Sequence, residues 1–166
     1  DEEATRAVER GEAWLIERLP KLRRATPRAV YNVWGHAYAI QALVRMPTRC
    51  PEDAGRRAQI RPLVQRQTGM LDRYECVDGG WCYYDFKNKT QKPSGSTISF
   101  VSATVLVAFS EAKAVGIEVP QKLVDRATAS IRRQRKPDFR YLYGEHLKHY
   151  PLFGVNRPAR PLGRSP

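Results

Sequence analysis

Two kinds of helical segment alternate along this chain, and the alternation leaves few folds open to it. Residues 30–46, VYNVWGHAYAIQALVRM, are apolar nearly all round, and a helix without a polar face must be enclosed by other elements. A second such helix is expected over residues 96–115, with Ser96 as its N-cap and Gly116 as its stop. The segments around these two have a different pattern. Ala4, Val8, Gly11, Leu15 and Leu19 recur at spacings of three and four, with Glu9, Arg10, Glu12, Glu17 and Arg18 between them, which is the period of an amphipathic helix that Pro20 should end. Cys50, Pro51, Glu52 and Asp53 read as the acid-rich start of a third helix, with Ile60, Leu63, Val64, Gln67 and Leu71 on one face. Pro62 predicts a kink or break within it, and Met46 and Pro47 should close the helix before it. Pro120 opens a fifth helix with Leu123, Val124, Ala127 and Ile131 facing inward and Arg126, Arg132 and Arg133 outward. The order amphipathic, buried, amphipathic, buried, amphipathic defines an all-α protein.

Charge and cysteine content exclude little. A net charge of +12 favours anionic partners, but the arginines fall where helices need a solvated face, and no basic motif interleaved with stacking aromatics marks a nucleic-acid module. Cys50, Cys76 and Cys82 are too few, and too irregularly spaced, for a disulfide framework or a four-cysteine zinc site. Glu145, His146 and His149 form a weak ligand set beside Lys148, so no metal or other cofactor is expected. The longest unbroken apolar run, Val105 to Phe109, is far below the roughly 20 residues that span a bilayer.

The loops carry a second pattern. Gly79, Gly80, Trp81, Cys82, Tyr83 and Tyr84 make an aromatic turn ahead of the second apolar helix, and Phe139, Arg140 and Tyr141 echo Trp81, Cys82 and Tyr83 after the fifth helix. Arg6–Ala7, Arg57–Ala58 and Arg126–Ala127 each fall early in an amphipathic helix. A helix pair thus recurs at intervals of roughly 50 to 70 residues, and residues 1–166 read as a single partial domain of a longer repeat protein whose remaining repeats would be its neighbours.

Outer amphipathic and inner apolar helices joined by Gly-aromatic turns resemble the squalene cyclase and prenyltransferase superfamily. In its repeats a basic residue, a Leu and a Gln precede Gly, any residue, Trp, and Arg57, Leu63, Gln67, Gly79, Gly80 and Trp81 are similar to that motif. Asp138 and Phe139 depart from it after Gln134. The resemblance implies an α/α toroid, and a central cavity holding an isoprenoid or other apolar molecule. It implies no catalysis within these residues, because the Asp-x-Asp-Asp acid of the cyclases, the Asp, Cys and His zinc ligands of the protein prenyltransferases and the Gly-Cys-Gly-Glu-Gln thioester motif do not occur.

Candidate ligand-binding residues follow from the same pattern. Asn32 and His36 share a face of the first apolar helix, either as cavity groups or as a core histidine satisfied by Asn32 or a backbone carbonyl. Ser96, Ser99 and Ser102 form a small polar stripe on the second, either as cavity groups or as small residues that let helices approach. Trp34, Trp81, Tyr83 and Tyr84 could wall an apolar pocket. Asp85 could place a carboxylate at its mouth, or pair with Lys87, Lys89 or Lys92. The competing function is a non-catalytic helical scaffold that binds a protein or anionic surface through its basic outer face.

Overall fold

The computed structural model describes residues 1–22, 32–49, 53–83, 97–149 and 155–156. Five helices dominate: α1 (Glu2–Arg18), α2 (Asn32–Arg49), α3 (Ala54–Tyr74), α4 (Ser99–Ala114) and α5 (Gln121–Gln134). The two-residue strands β1 (Tyr141–Leu142) and β2 (Val155–Asn156) pair antiparallel, Tyr141 opposite Asn156 and Leu142 opposite Val155. Single 3-10 turns cover Leu19–Lys21 and Glu145–His149. The chain is all-α as its pattern requires, and no helix among the described residues is long and apolar enough to cross a membrane.

The apolar helices α2 and α4 pack on each other, with α3 against α2 and α5 against α4. The amphipathic helices α3 and α5 therefore each cover one side of an apolar helix, whereas α1 does not. Val33, Ile40 and Leu43 of α2, Ile60, Val64 and Leu71 of α3, and Val101, Val105 and Phe109 of α4 form one continuous core with Leu123 and Ala127 of α5.

Several helix limits differ from the sequence expectations. Pro62 does not break α3, which runs unbroken past it. Pro62 and Ala58, whose carbonyl loses its helix partner, are both exposed, where an unmade backbone hydrogen bond costs less than in the core. Likewise α2 continues through Pro47 to Arg49. α3 starts at Ala54 because Asp53 caps it, its carboxylate accepting from the Arg56 amide. Ser96, outside the described residues, is not the cap of α4: that position is Ile98, with no side-chain cap. Thr97 and Ile98 are held extended, since the Ile98 amide donates to the Trp81 carbonyl at 2.9 Å and Thr97 Oγ1 to the Gly79 carbonyl at 2.8 Å.

The turns leaving α3 and α5 are built alike. After α3, the amide of Glu75 donates to the Asp72 carbonyl, that of Gly79 to Cys76 and that of Cys76 to Gly80. After α5, Arg135 donates to Arg132, Phe139 to Lys136 and Lys136 to Arg140. Each partner number rises by 60 (72 to 132, 76 to 136, 80 to 140). Gly79 and its counterpart Phe139 both take positive φ, 93° and 63°. This register corrects the echo expected from sequence: Trp81 corresponds to Tyr141, not Phe139, and Gln134 at the end of α5 corresponds to Tyr74 at the end of α3, not Gln67. The Arg-Ala pairs do not correspond either, because Ala58 is exposed and Ala127 is fully buried. Side-chain identity misled because the shared property is a backbone path.

Phe139 is 64% exposed and sits in a left-handed conformation that costs an ordinary side chain about 1–2 kcal/mol. Its ring lies under the Arg135 guanidinium at 4.7 Å, which offsets about 0.5 kcal/mol at an exposed site. Phe139→Gly should therefore raise stability by about 0.5 kcal/mol after the extra chain entropy of glycine is subtracted. Urea unfolding of the two proteins checks the sign.

Candidate functional site

The candidate residues separate into three groups. Tyr84, Asp85 and Ser96 lie outside the described residues, as does the side chain of Asn32, which opens α2.

A second group is committed to packing. Trp81 is fully buried; its indole Nε1 donates to the Leu71 carbonyl at 2.8 Å, and its ring meets Phe109 edge-on at 5.8 Å. Ser102 Oγ accepts the Trp81 amide at 2.9 Å, and Ser99 Oγ donates to the Leu142 carbonyl at 2.7 Å. Ser102 thus holds the turn onto α4 and Ser99 holds β1 onto it, roles that differ from both the cavity and the close-approach expectation. His36 is 2% exposed and faces α3, with Nδ1 2.6 Å from Gln67 Oε1 and its ring 5.7 Å from Tyr74. Neither Asn32 nor a backbone carbonyl is needed to explain its burial: a buried imidazole requires a polar partner, and Gln67 supplies one.

Trp34 and Tyr83 form the third group, and they come together. Their rings meet edge-on at 5.3 Å, and both contact Phe100 at 5.8 Å. Tyr143 closes the cluster, 5.4 Å from Phe100, with its hydroxyl hydrogen-bonded to that of Tyr83. Tyr38, 6.4 Å from Trp34, extends it along α2 and is 54% exposed. Sequence reasoning missed Tyr38, Phe100 and Tyr143. Tyr38 was within reach, since it follows Trp34 by four and shares its face; Tyr143 was not, because only the path of the chain through β1 brings it to α4.

The cluster lies on a definable side of the paired central helices. A helix turns about 100° per residue, so Tyr38 points about 200° away from His36, which faces α3. On α4, Val107 is 50% exposed and points about 200° away from buried Val105 and Phe109. Two turns beyond Tyr38, Arg45 Nη2 donates to Glu111 Oε1 at 2.8 Å, one turn past Val107. The side of α2 and α4 turned away from the outer helices is thus aromatic at one end, aliphatic in the middle and ionic at the other.

The outer side is tightly paired. Arg126 Nε donates to Glu75 Oε1 at 3.0 Å, and its Nη2 donates to the carbonyls of Cys76 and Val77. Arg133 donates to both Glu145 oxygens and to the Asp78 carbonyl; its hydrogen bond to Glu145 raises its pKa above the ordinary arginine value. Glu145 is therefore occupied by Arg133, and His146 beside it is exposed. At the second turn, the hydrogen bond from Arg140 holds the Asp138 carboxyl below the usual aspartate range. An open groove of about 700 Å³ lies between α3 and the α4–α5 connection, lined in part by Thr68, Asp72, Lys113 and Val119. None of the candidate residues borders it.

No protein-family description, curated protein or solved structure matches this chain.

Proposed function

We propose that the chain is a section of an α/α toroid of the squalene cyclase and prenyltransferase kind, and that the shared face of α2 and α4 holds an isoprenoid or similar apolar molecule. The observation that carries this reading is the half-buried aromatic cluster of Trp34, Tyr83, Phe100 and Tyr143, continued by exposed Tyr38 and Val107 on the side away from α3 and α5. Large exposed apolar groups gathered on one face mark a binding surface. Arg45, two helical turns or about 10 Å from Tyr38, is an exposed cation that would exchange its ion pair with Glu111 for an anionic head group at the far end. No described residue is assigned a chemical step. The recurrence of one turn geometry after α3 and α5 supports the repeat organisation.

The test is thermal unfolding with a prenyl diphosphate and with the matching prenyl alcohol. A ligand that binds only the folded protein raises Tm, by about 2.7 kcal/mol of stability at a hundredfold excess over Kd. The expected result is a rise with both compounds, larger for the diphosphate, with Arg45→Ala removing the difference and Tyr38→Ala weakening both. No rise with either compound, together with salt-sensitive binding to an acidic protein or anionic vesicle, would favour a scaffold acting through its basic surface.

A further inference from the structure

Among the described residues, the first three turns of α1 are exposed throughout. All of residues 1–11 are exposed, and no residue of α1 is buried. Only Leu15 and Ile16 pack on the core, and Glu12 pairs with Arg49 and Arg56. The helix is locally well specified: Asp1 Oδ1 accepts the Glu3 amide at 3.0 Å and Arg6 pairs with Glu2, in a stretch rich in Ala, Glu and Arg. At 100° per residue, Ala4, Ala7, Val8, Gly11 and Trp14 fall within one largely apolar stripe about 120° wide, which also takes in Arg18 and, on its edge towards the body, Leu15. Trp14 is 61% and Val8 47% exposed, and a side chain added at Gly11 would meet nothing within 4 Å. The stripe is large at one end and small at the other, and the helix is acidic at its start (Asp1, Glu2, Glu3) and basic at its end (Arg18, with Lys21 beyond).

We infer that α1 pairs antiparallel with α1 of a second copy of this chain. The size gradient and the terminal charges of the stripe are self-complementary in that orientation. Reversal sets Trp14 of one copy over Ala7 of the second, large on small, where two parallel helices would stack tryptophan on tryptophan. It places Glu3 near Arg18 of the second copy at both ends, and aligns opposed helix dipoles. The pairing is two-fold, the commonest symmetry of homo-oligomers. α1 has an acidic excess, but Glu12 is held by Arg49 and Arg56 of its own chain, and Glu17 lies beside Arg18 and Lys21. The seam is therefore nearly neutral. Tryptophan is also among the residues most enriched at the centres of protein interfaces.

Sedimentation velocity over a concentration series tests this. The expected result is a particle of about twice 19.0 kDa that dissociates on dilution. Trp14→Glu should raise the dimer dissociation constant at least tenfold, about 1.4 kcal/mol, and leave the melting of the body unchanged because Trp14 is exposed. Glu3→Arg should weaken the dimer, and adding Arg18→Glu in the same chain should restore it. A monomer at every concentration would overturn the inference. So would a dimer indifferent to Trp14→Glu, or one that the double charge exchange fails to restore, since its contact would lie elsewhere or run in another direction.

Discussion

Trp81→Ala should be the most damaging single truncation of the described core, costing about 3–5 kcal/mol and lowering Tm by roughly 10 °C for a chain of this size. Three losses coincide. The indole is completely buried, so its removal leaves a cavity against Phe109. Its Nε1 satisfies the Leu71 carbonyl, one of the last four carbonyls of α3, which have no partner within the helix; the Glu75 amide that would otherwise reach it turns instead to Asp72. Its own amide and carbonyl tie the turn to Ser102 and Ile98 at the head of α4. Trp81→Phe separates these effects. It keeps most of the ring volume and both backbone bonds but strands the Leu71 carbonyl, at a cost of about 1–3 kcal/mol. Equal losses for the two variants in urea unfolding would mean that ring volume contributes nothing at this site, contrary to the packing described.

The alternation of helix types was legible because α2 and α4 are apolar nearly all round, although the structure leaves one side of each exposed, at Tyr38 and Val107, where enclosure was expected. So was the packed character of the turn at Gly79, since Trp81 and Tyr83 are too large and apolar for a solvated loop. What could not be read was register and direction. Gln67 and Gln134 looked equivalent by type, yet Gln67 lies two turns inside α3 bonded to His36, whereas Gln134 ends α5 where Tyr74 ends α3. Pro62 looked like a break because sequence does not reveal that Ala58 and Pro62 are both exposed. The candidate site was half legible: Trp34 and Tyr83 meet, while His36, Trp81, Ser99 and Ser102 serve the core. Polar residues on an apolar helix marked hydrogen bonds to neighbouring elements, and the open face was marked by Tyr38 and Val107, whose exposure depends on where α3 and α5 lie.

Gly79→Ala tests whether α5 rests on the turn. Gly79 has φ 93°, and a Cβ there would stand 2.5 Å from the Arg126 carbonyl oxygen and 2.8 Å from its carbon. Those atoms belong to the middle of a helix and cannot rotate away, so α5 itself would have to move. Such a shift would pull Arg126 off Glu75, Cys76 and Val77 and strain the contact of Arg133 with Asp78. Gly116 supplies the control. Its φ is 73° but nothing lies within 4 Å of its missing Cβ, so Gly116→Ala should cost only the left-handed strain of about 1–2 kcal/mol. Gly79→Ala should cost that much plus the close approach, about 3–5 kcal/mol in all, in the range reserved for a forced backbone shift and a broken buried network. Phe139 makes the same point in the chain itself: the equivalent turn position accepts a large side chain at φ 63° where that side chain is 64% exposed. Left-handed backbone is therefore tolerable in this turn, and glycine is required at 79 by the approach of α5. Equal stabilities for the Gly79 and Gly116 variants would refute that contact, and with it the account of why the joint between α3, α4 and α5 is rigid.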